Sequence, residues 1–548
     1  MKHSPDPHLS IAASVLAITI ALSPTPVPAA TDDAAPGPVT YRVDILIPGS
    51  AMHGVHGLAF DKDDELYGAS LAGYSIYHID RQTGAVTTTV GPPLGNSDDL
   101  AFGPDGTLAW TAGAFSSIFA RAPGGEIRTL ADGLGGVNSI NFSPDGRLYI
   151  TRVFGGDHLY EIDLAGKQAP RLIAKKLGGL NGFEVTADNT LYGPLFFKKK
   201  IIRVDLASGE VHDVATGFGV PAAVNIDQHG NLYVVDYKLG QVTRIRLADG
   251  DREVLVELQP PLDNLAIDSR GFIYVSNPAF NRITEIDPET RHTRIIVEGR
   301  LSSPGGLALD GDRLFIADFW GSRFAALGTG AITMYDAPDG VTASSSVAAS
   351  DRYYALAGIW PFGVVYVIDR STHKLVKRAR VGAPYGLVFL ADDSLLVADY
   401  KGGQVLQLAP GKTRDKTVIV ADLAGPVGLV YRARDDTLFI SEFDAGRVIA
   451  IDRASGERRT VVDNLAQPEG LALDNDGRLL ITETGRNRVW AVAADGTATV
   501  IATGIPMGLA GGDDLPAPFL PSSLAVDQAN RIYVTSDVEN AVYRLTAD

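Results

Sequence analysis

The amino-acid sequence predicts an all-β protein of twelve four-stranded blades, arranged as two tandem six-bladed β-propellers. The first observation behind this prediction is a repeated unit, in which an apolar run, an Asp-containing turn and an apolar-aromatic run follow one another. Successive units begin 40 to 43 residues apart, except for a last interval of 53 residues. Self-similarity at such a period is typical of repeat architectures. The anchor residues that begin the twelve units are Leu58, Leu100, Ile140, Phe183, Val224, Leu265, Leu307, Val347, Leu387, Leu429, Leu471 and Leu524.

The second observation is that each unit contains four short runs rich in Val, Ile, Leu and Tyr. In the fifth unit these runs cover residues 224–227, 232–236, 241–246 and 252–258, and His229-Gly230 and Asp249-Gly250 form turns between them. Runs of this length are too short for helices and have the composition of strands. Four antiparallel strands in about 42 residues are typical of a propeller blade.

The two ends of the chain suggest how the blades divide into domains. The twelfth unit stops after its third run, at residues 541–546, and an additional strand-like run lies at residues 41–47. The third run of the sixth unit ends at Asp287, just before Pro288. We therefore predict one propeller at residues 40–288 and a second at 289–548. Each would close by pairing its first strand with its last three, residues 293–298 being the closing strand of the second; a single ring of twelve blades is the alternative.

Residues 1–30 have the pattern of a secretory signal. Lys2 precedes an apolar run at 11–22, and Val27-Pro28-Ala29 offers small residues for cleavage. That apolar run is shorter than the roughly 20 residues that a membrane-spanning helix needs. The sequence therefore predicts a signal peptide at 1–30, a linker at 31–39, no membrane span, and a periplasmic or secreted protein.

Composition excludes several functions. The chain has 48 Lys and Arg against 65 Asp and Glu, a formal net charge of -17, which disfavours nucleic acid as a partner. It has no cysteine, which excludes disulfides, thiolate metal sites and a cysteine nucleophile.

The residues just before the anchors are expected to surround one mouth of each propeller's central channel. In the first half five of the six residues are polar, and in the second half the set is mostly small or apolar. The first set is His56, Asp98, Asn138, Asn181, Ala222 and Asp263, with Asp99 and Asn264 beside two of its members. The second set is Gly305, Ser345, Tyr385, Val427, Glu469 and Ser522.

Convergent carboxylate and amide oxygens suit a hard cation such as Ca²⁺. We therefore predict a site for Ca²⁺ or another divalent cation, with ligands at Asp98, Asn138, Asn181, Asp263 and, in support, Asn264. His56 and Asp98 are the candidate catalytic residues, since a histidine near its ordinary pKa serves as a general base and a metal polarises an ester or lactone carbonyl. The alternative is that these polar residues line a water-filled channel or cap turns.

Loops on the same face carry aromatic residues. Phe154, Phe197 and Tyr237 are predicted to contact a small-molecule substrate. In the second half, Trp320 and the run Trp360-Pro361-Phe362 are predicted either to contact a protein partner or to pack the two rings together. The acidic residues that end second strands are predicted to brace turns and blades, namely Asp236, Asp318, Asp399, Glu442 and Glu483.

The units at 468–489 and 262–283, and the insertion at 511–527, resemble NHL repeats and the propellers of the SMP-30/gluconolactonase group. The resemblance implies that Asn181 corresponds to a metal ligand of gluconolactonase-type propellers. It further implies that Asn138 and Asp263-Asn264 are similar to ligands of paraoxonase-type lactonases, and His56 to their catalytic histidine. The sequence departs from those families in two ways: they place a Glu at the start of a first-blade inner strand, where this chain offers His56 or Asp98, and the order of His and acidic blades differs.

These observations together predict an exported, metal-dependent hydrolase that acts on a lactone or ester at the mouth of the first propeller. Two alternatives are a non-enzymatic propeller that binds a protein or glycan, and a propeller lyase.

Overall fold

The structure is a computed structural model that describes residues 40–338, 340–341, 343–359, 363–411, 415–509 and 519–548. The predicted signal peptide and linker, and the run Trp360-Pro361-Phe362, lie outside the described residues. Within them the regular structure is strand, apart from four single-turn 3-10 helices, and none of these helices could cross a membrane. The short helices are Gly113–Phe115, Pro278–Phe280, Ala433–Asp435 and Thr484–Arg486.

The strands form twelve antiparallel sheets of four, which confirms the predicted all-β fold of twelve blades. Blades 1 to 6 follow chain order, with each blade's innermost strand first. Blade 1 has Val55–Phe60, Leu66–Ser70, Ser75–Ile79 and Val86–Val90; blade 2 has Leu100–Phe102, Leu108–Ala112, Ser117–Arg121 and Ile127–Ala131; blade 3 has Val137–Phe142, Leu148–Arg152, His158–Ile162 and Arg171–Lys175; blade 4 has Glu184–Val185, Thr190–Leu195, Lys200–Asp205 and Val211–Thr216; blade 5 has Pro221–Ile226, Asn231–Asp236, Gln241–Arg246 and Arg252–Glu257; blade 6 has Leu265–Ile267, Ile273–Asn277, Arg282–Ile286 and Thr293–Val297.

Blades 7 to 11 follow the same plan, and blade 12 takes its outer strand from the start of the chain. Blade 7 has Pro304–Asp310, Arg313–Asp318, Arg323–Ala326 and Ile332–Met334; blade 8 has Ser344–Ala349, Tyr353–Gly358, Val364–Asp369 and Lys374–Arg380; blade 9 has Pro384–Phe389, Leu395–Asp399, Gln404–Leu408 and Lys416–Val420; blade 10 has Pro426–Arg432, Thr437–Glu442, Arg447–Asp452 and Arg458–Val462; blade 11 has Pro468–Leu473, Leu479–Glu483, Arg488–Val492 and Ala498–Thr503; blade 12 has Leu524–Val526, Ile532–Ser536, Ala541–Ala547 and Tyr41–Ile47.

Local interactions explain why each unit folds as a hairpin. In blade 5, Asp227 sits at the first turn, and its carboxylate accepts hydrogen bonds from the backbone N–H of His229 at 2.8 Å and of Asn231 at 2.9 Å. The hydroxyl of Tyr233 donates to the same carboxylate at 3.0 Å. The recurring Asp of the repeat therefore closes the turn by an Asx-type interaction.

Contacts between blades show how the sheets are arranged. Blade 1 packs against blade 6, where Leu58 and Leu66 lie in one apolar cluster with Tyr274 and Ile283. Blade 7 packs against blade 12 in the same way, through a cluster that contains Leu307 and Tyr533. Blades 1 to 6 thus follow one another in a closed cycle, here called the first ring, and blades 7 to 12 in another, the second ring.

The strands at the ring boundary differ from the prediction. Tyr41–Ile47 pairs with Ala541–Ala547 in blade 12, not with blade 6, and Thr293–Val297 pairs with Arg282–Ile286 as the outer strand of its own blade. The predicted boundary at 288/289 and the predicted closing strand at 293–298 are therefore wrong. Pro288 does not end the blade, because it lies in a tight hairpin turn in which the N–H of Asp287 donates to the carbonyl of His292 at 2.9 Å. Closing this short loop costs less entropy than recruiting a strand from the start of the chain.

The acidic residues at the ends of second strands brace neighbouring segments, as predicted. Asp236 accepts hydrogen bonds from the N–H groups of Gly219 at 2.6 Å and Val220 at 3.0 Å. Asp318 forms a buried ion pair with Arg323 at 2.7 Å. Asp236 thus fixes the loop before blade 5, and Asp318 fixes the loop before blade 7 by accepting hydrogen bonds from the N–H groups of Ser302 and Ser303.

Candidate active site between the two rings

A cavity of about 830 Å³ lies between the first ring and loops of the second. Its first-ring wall contains all the polar residues predicted for that mouth, together with Tyr74, Phe154, Phe196 and Tyr237. Its second-ring wall is largely apolar and aromatic. The second-ring residues that line the cavity include Phe319, Trp320, Tyr335, Leu356, Ile359 and Phe519.

His56 is at the centre of a charged cluster in the first-ring wall. Its Nδ1 lies 2.8 Å from a carboxylate oxygen of Asp263 and 3.5 Å from one of Asp98. Its Nε2 is buried and has no hydrogen-bond partner among the described residues. The imidazole is therefore held on one side and has an unused polar atom on the other.

Amide and hydroxyl side chains connect the remaining mouth residues. The Asn138 amide donates to Asp98, and the Ser139 hydroxyl hydrogen-bonds to the side-chain oxygens of Asn181 at 2.9 Å and Asn138 at 3.1 Å. On the opposite side, the Asn264 amide donates to Asp99 at 3.1 Å. These bonds link blades 2, 3, 4 and 6, so the mouth is a single connected polar network.

Burial and mutual charge shift the pKa values in this network. Burial acts to lower the pKa of His56, but the carboxylates of Asp263, Asp98 and Asp99 outweigh it, so that its pKa is raised. Burial raises the pKa of Asp98 to about 6, against the opposing influence of His56, and raises the pKa of Asp99 well above its ordinary value. One imidazole thus faces three carboxyl groups, and the cluster favours binding of protons or cations.

The predicted metal ligands fit a divalent cation in chemistry more clearly than in geometry. All five oxygen-bearing side chains line the same cavity, and their carboxylate and amide oxygens are donors that Ca²⁺ accepts. In this arrangement, however, Asp98 and Asp263 are directed at His56. No group of three or more His, Asp or Glu side chains in the described residues has the geometry of a metal site. The metal site stays a prediction.

The predicted substrate-binding aromatics lie at the rim of the cavity. Phe154 and Tyr237 line it, whereas Phe197 does not and instead packs edge-on against Phe154, with ring centroids 6.0 Å apart. Phe196, its neighbour in sequence, takes its place in the wall and packs against Tyr237 at 6.1 Å.

Trp320 contributes to the site in a way that the sequence did not specify. Its indole contacts the imidazole of His56, with ring centroids 4.3 Å apart and planes at 61°. The sequence predicted a role for Trp320 in a protein contact or in packing the rings together, and the structure shows the latter. Its partner was not predictable, because the two residues belong to different repeats in different rings.

Glu184 was also missed. It lies in a second cavity, of about 190 Å³, inside the channel of the first ring. The amides of Asn225 and Asn141 donate to its carboxylate at 2.9 and 3.3 Å, and burial raises its pKa to about 7. Asp99 and Asn264 line this cavity as well as the larger one. The available signal was an acidic residue directly after an anchor, a position where most repeats have Ala or Val.

Comparison with known proteins supports the repeat. The family model of the NHL repeat matches residues 465–491, in blade 11. No curated protein sequence matches the chain. The SMP-30/gluconolactonase relationship implied by the resemblance therefore stays a prediction.

Several solved structures are similar to this chain at low sequence identity. Virginiamycin B lyase from Staphylococcus aureus is 15% identical over 60% of this chain and 94% of its own, with a TM-score of 0.29. The extracellular domain of a one component system from B. thetaiotaomicron is 11% identical over 92% of this chain and 82% of its own, with a TM-score of 0.33. The tricorn protease is 16% identical over 82% of this chain and 48% of its own, with a TM-score of 0.35.

Proposed function

We propose that the cavity between the rings is the active site of a hydrolase for a lactone or ester, with His56 as its general base. The observation that carries this proposal is the environment of His56: its Nδ1 is bound by Asp263 at 2.8 Å, while Nε2 is unpartnered in the wall of a cavity large enough for a small organic molecule. A histidine that is oriented on one nitrogen and free on the other is the arrangement that general base catalysis requires.

The reaction would proceed through a tetrahedral intermediate. Neutral His56 takes a proton from a water molecule on Nε2 as the water oxygen attacks the substrate carbonyl. Asp263 accepts the Nδ1–H bond, which sets the tautomer and stabilises the imidazolium that forms. When the C–O bond to the leaving alcohol breaks, the imidazolium returns the proton to the alkoxide. One water is consumed, and the products are a carboxylic acid and an alcohol, or a hydroxy acid from a lactone.

A divalent cation remains part of the proposal as a separate element. Asp98, Asn138, Asn181 and Asp263 would hold it, with Asn264 in support, and a bound cation would polarise the substrate carbonyl. Support for this element comes from donor chemistry and from the excess of buried carboxyl groups over cationic side chains at this mouth. Metal analysis of the purified protein, and assays with added Ca²⁺ or with a chelator, test it independently of His56.

The first experiment compares the full chain with the His56→Gln variant on a panel of γ-lactones, δ-lactones and aryl esters. We expect the wild-type protein to hydrolyse members of the panel and H56Q to lose about 100-fold or more of that activity. His292→Gln, in the exposed hairpin turn of blade 6, is the matched control and should retain full activity.

Product mass distinguishes the alternatives. Hydrolysis adds one water to the substrate, whereas a lyase breaks the bond without adding water. Products whose summed mass equals that of the substrate would therefore indicate a lyase and contradict the hydrolase. Ligand binding without turnover would favour the non-enzymatic binding protein. Equal activity of H56Q and wild type would exclude His56 as the base.

A further inference from the structure

We infer that the second ring completes the catalytic site of the first, and that Trp320 is a positioning residue for His56. The inference rests on the proposed function in that it assigns the second ring a task in the same reaction. It assigns a role to a ring in whose mouth the described residues form no comparable cluster of carboxylates around a histidine.

The contact between Trp320 and His56 is direct. The imidazole is held between two first-ring carboxylates on its Nδ1 side and a second-ring indole at 4.3 Å. The indole is itself supported within the second ring, because it packs edge-on against Phe319 at 4.6 Å, and Phe319 packs against Phe519 at 5.8 Å. The orientation of His56 therefore depends on a rigid aromatic group that its own ring does not supply.

The backbone before His56 is shaped to receive this indole. Gly54 has a positive φ of 74°, and a Cβ atom built on it would lie 2.2 Å from Nε1 and 2.6 Å from Cδ1 of Trp320. A side chain at this position would push the indole away. Trp320 thus contacts both the imidazole of His56 and the main chain two residues before it.

The same segment is attached to both rings. Residues 48–54 connect Tyr41–Ile47, which belongs to blade 12, to Val55–Phe60 in blade 1. The carbonyl of Met52 accepts hydrogen bonds from Asn281 of the first ring at 2.6 Å and from Asn540 of the second at 2.7 Å. His53 Nε2 is hydrogen-bonded to the carbonyl of Asp537 at 2.9 Å. A shift of the second ring would therefore be transmitted to the backbone that carries His56.

This arrangement has a consequence for catalysis. Reacting groups must be held close to a productive geometry, and a displacement of about 1 Å is enough to cost roughly 100-fold in rate. With Trp320 absent, space opens beside the imidazole, so that it can rotate away from the orientation in which Asp263 holds it. A loss of orientation should lower kcat more than it raises KM for a substrate too small to touch the second-ring wall.

The experiment compares Trp320→Ala, Trp320→Phe and the control Trp490→Phe in the full chain. Trp490 lies in blade 11, far in sequence from both residues, with its Nε1 bonded to Glu483 at 2.7 Å. We expect W320A to lower kcat for a small lactone about 100-fold with less than a threefold change in KM. W320F, which keeps an aromatic ring at the contact, should recover at least a tenth of wild-type kcat, and W490F should match wild type.

A second readout does not depend on turnover. Diethyl pyrocarbonate acylates accessible imidazole nitrogens, and peptide mass spectrometry locates the modified histidines. We expect His56 to be protected in wild type and W490F, and modified at least tenfold faster in W320A. This result would support the positioning role even if no lactone or ester were hydrolysed, so the two proposals fail separately.

Gly54→Ala is the second variant in case W320A does not fold. It leaves the indole in the chain but displaces it, and it should increase modification of His56 in the same direction as W320A. If His56 reacts equally in wild type and in the folded variants, or if kcat is unchanged in them, Trp320 does not position His56 and the inference is wrong.

Discussion

The mouths of the two rings are built at equivalent positions of one repeat, yet their polar side chains are arranged differently. In the first ring, Asp98 and Asp263 converge on His56 at the wall of a cavity. In the second ring, the only acidic residue of the equivalent set, Glu469, is fully engaged: it accepts hydrogen bonds from the N–H of Ser522 at 2.6 Å and from the hydroxyl of Thr484 at 3.0 Å. The first mouth therefore retains polar atoms that are available to a ligand, whereas the carboxylate of the second mouth is used in hydrogen bonds within the protein.

The same contrast extends into the two channels. The residues directly after the anchors include Asn141, Glu184 and Asn225 in the first ring, whereas all six in the second are Ala or Val. A polar channel needs space for water or partners, while small apolar residues let the inner strands approach closely. The comparison shows that one blade design supports either a site or a filled core, depending on two or three residues per inner strand.

The largest expected effect comes from removing the charge that orients His56. Asp263→Asn should lower hydrolase activity by about 100- to 1000-fold, because the imidazolium formed in the reaction loses its carboxylate partner. Steady-state kinetics on the member of the lactone and ester panel that wild type hydrolyses fastest give the measurement. Glu469→Gln, the corresponding change in the second ring, is the control and should leave activity within twofold of wild type; equal losses in both variants would show that the rings do not differ in function.

The next largest effect should come from overfilling the second mouth. At Gly305, a Cβ atom would lie 2.4 Å from the carbonyl oxygen of Ser345 on the neighbouring inner strand. Gly305→Ala should therefore lower the free energy of unfolding by about 1–3 kcal/mol, as overpacking of a rigid core does. Denaturant unfolding provides the measurement. Gly328→Ala, where an added Cβ meets nothing within 4 Å, should change stability by less than about 0.5 kcal/mol, and similar losses in both variants would contradict a tightly packed second mouth.

An effect of similar size, but limited to neutral and alkaline pH, is expected in the channel of the first ring. Glu184 keeps its proton up to about pH 7 in the folded protein, because burial raises its pKa from 4.5 to about 7. The unfolded chain releases that proton near pH 4.5, so Glu184 lowers stability progressively as the pH rises from 4.5 to 7, and the penalty persists above that range.

Glu184→Gln removes this penalty while keeping an oxygen for the amides of Asn141 and Asn225. We expect the variant to gain about 1–3 kcal/mol relative to wild type at pH 8 and little at pH 4, as measured by urea unfolding at both pH values. Ala472→Ser, at a corresponding position of the second ring, should show no such pH dependence. An equal stability difference between the variant and wild type at both pH values would mean that folding does not raise the pKa of Glu184.

Much of the fold was predictable because it is determined by residues that are close together in the sequence. The strands of each blade can be recognised within its own repeat, and the Asp that closes a turn, such as Asp227, lies within a few residues of its partners. The composition of the first mouth was predictable for the same reason: a residue such as Asp263 or Asn181 has a fixed offset from its anchor, and the offset determines where it faces. The pairing of the strand at residues 41–47 was predicted wrongly, since nothing in that run distinguishes blade 6 from blade 12 as its partner.

By itself, then, the sequence determined the twelve blades and the set of polar residues at the first mouth, because both follow from periodic, short-range patterns. Only the tertiary structure decided that Tyr41–Ile47 closes blade 12, that residues 48–54 pass between the rings, and that Trp320 packs on His56. These features depend on which surfaces, distant in sequence, pack against each other. The hydrophobic effect that drives this packing is non-directional, so the repeat pattern does not specify the partners.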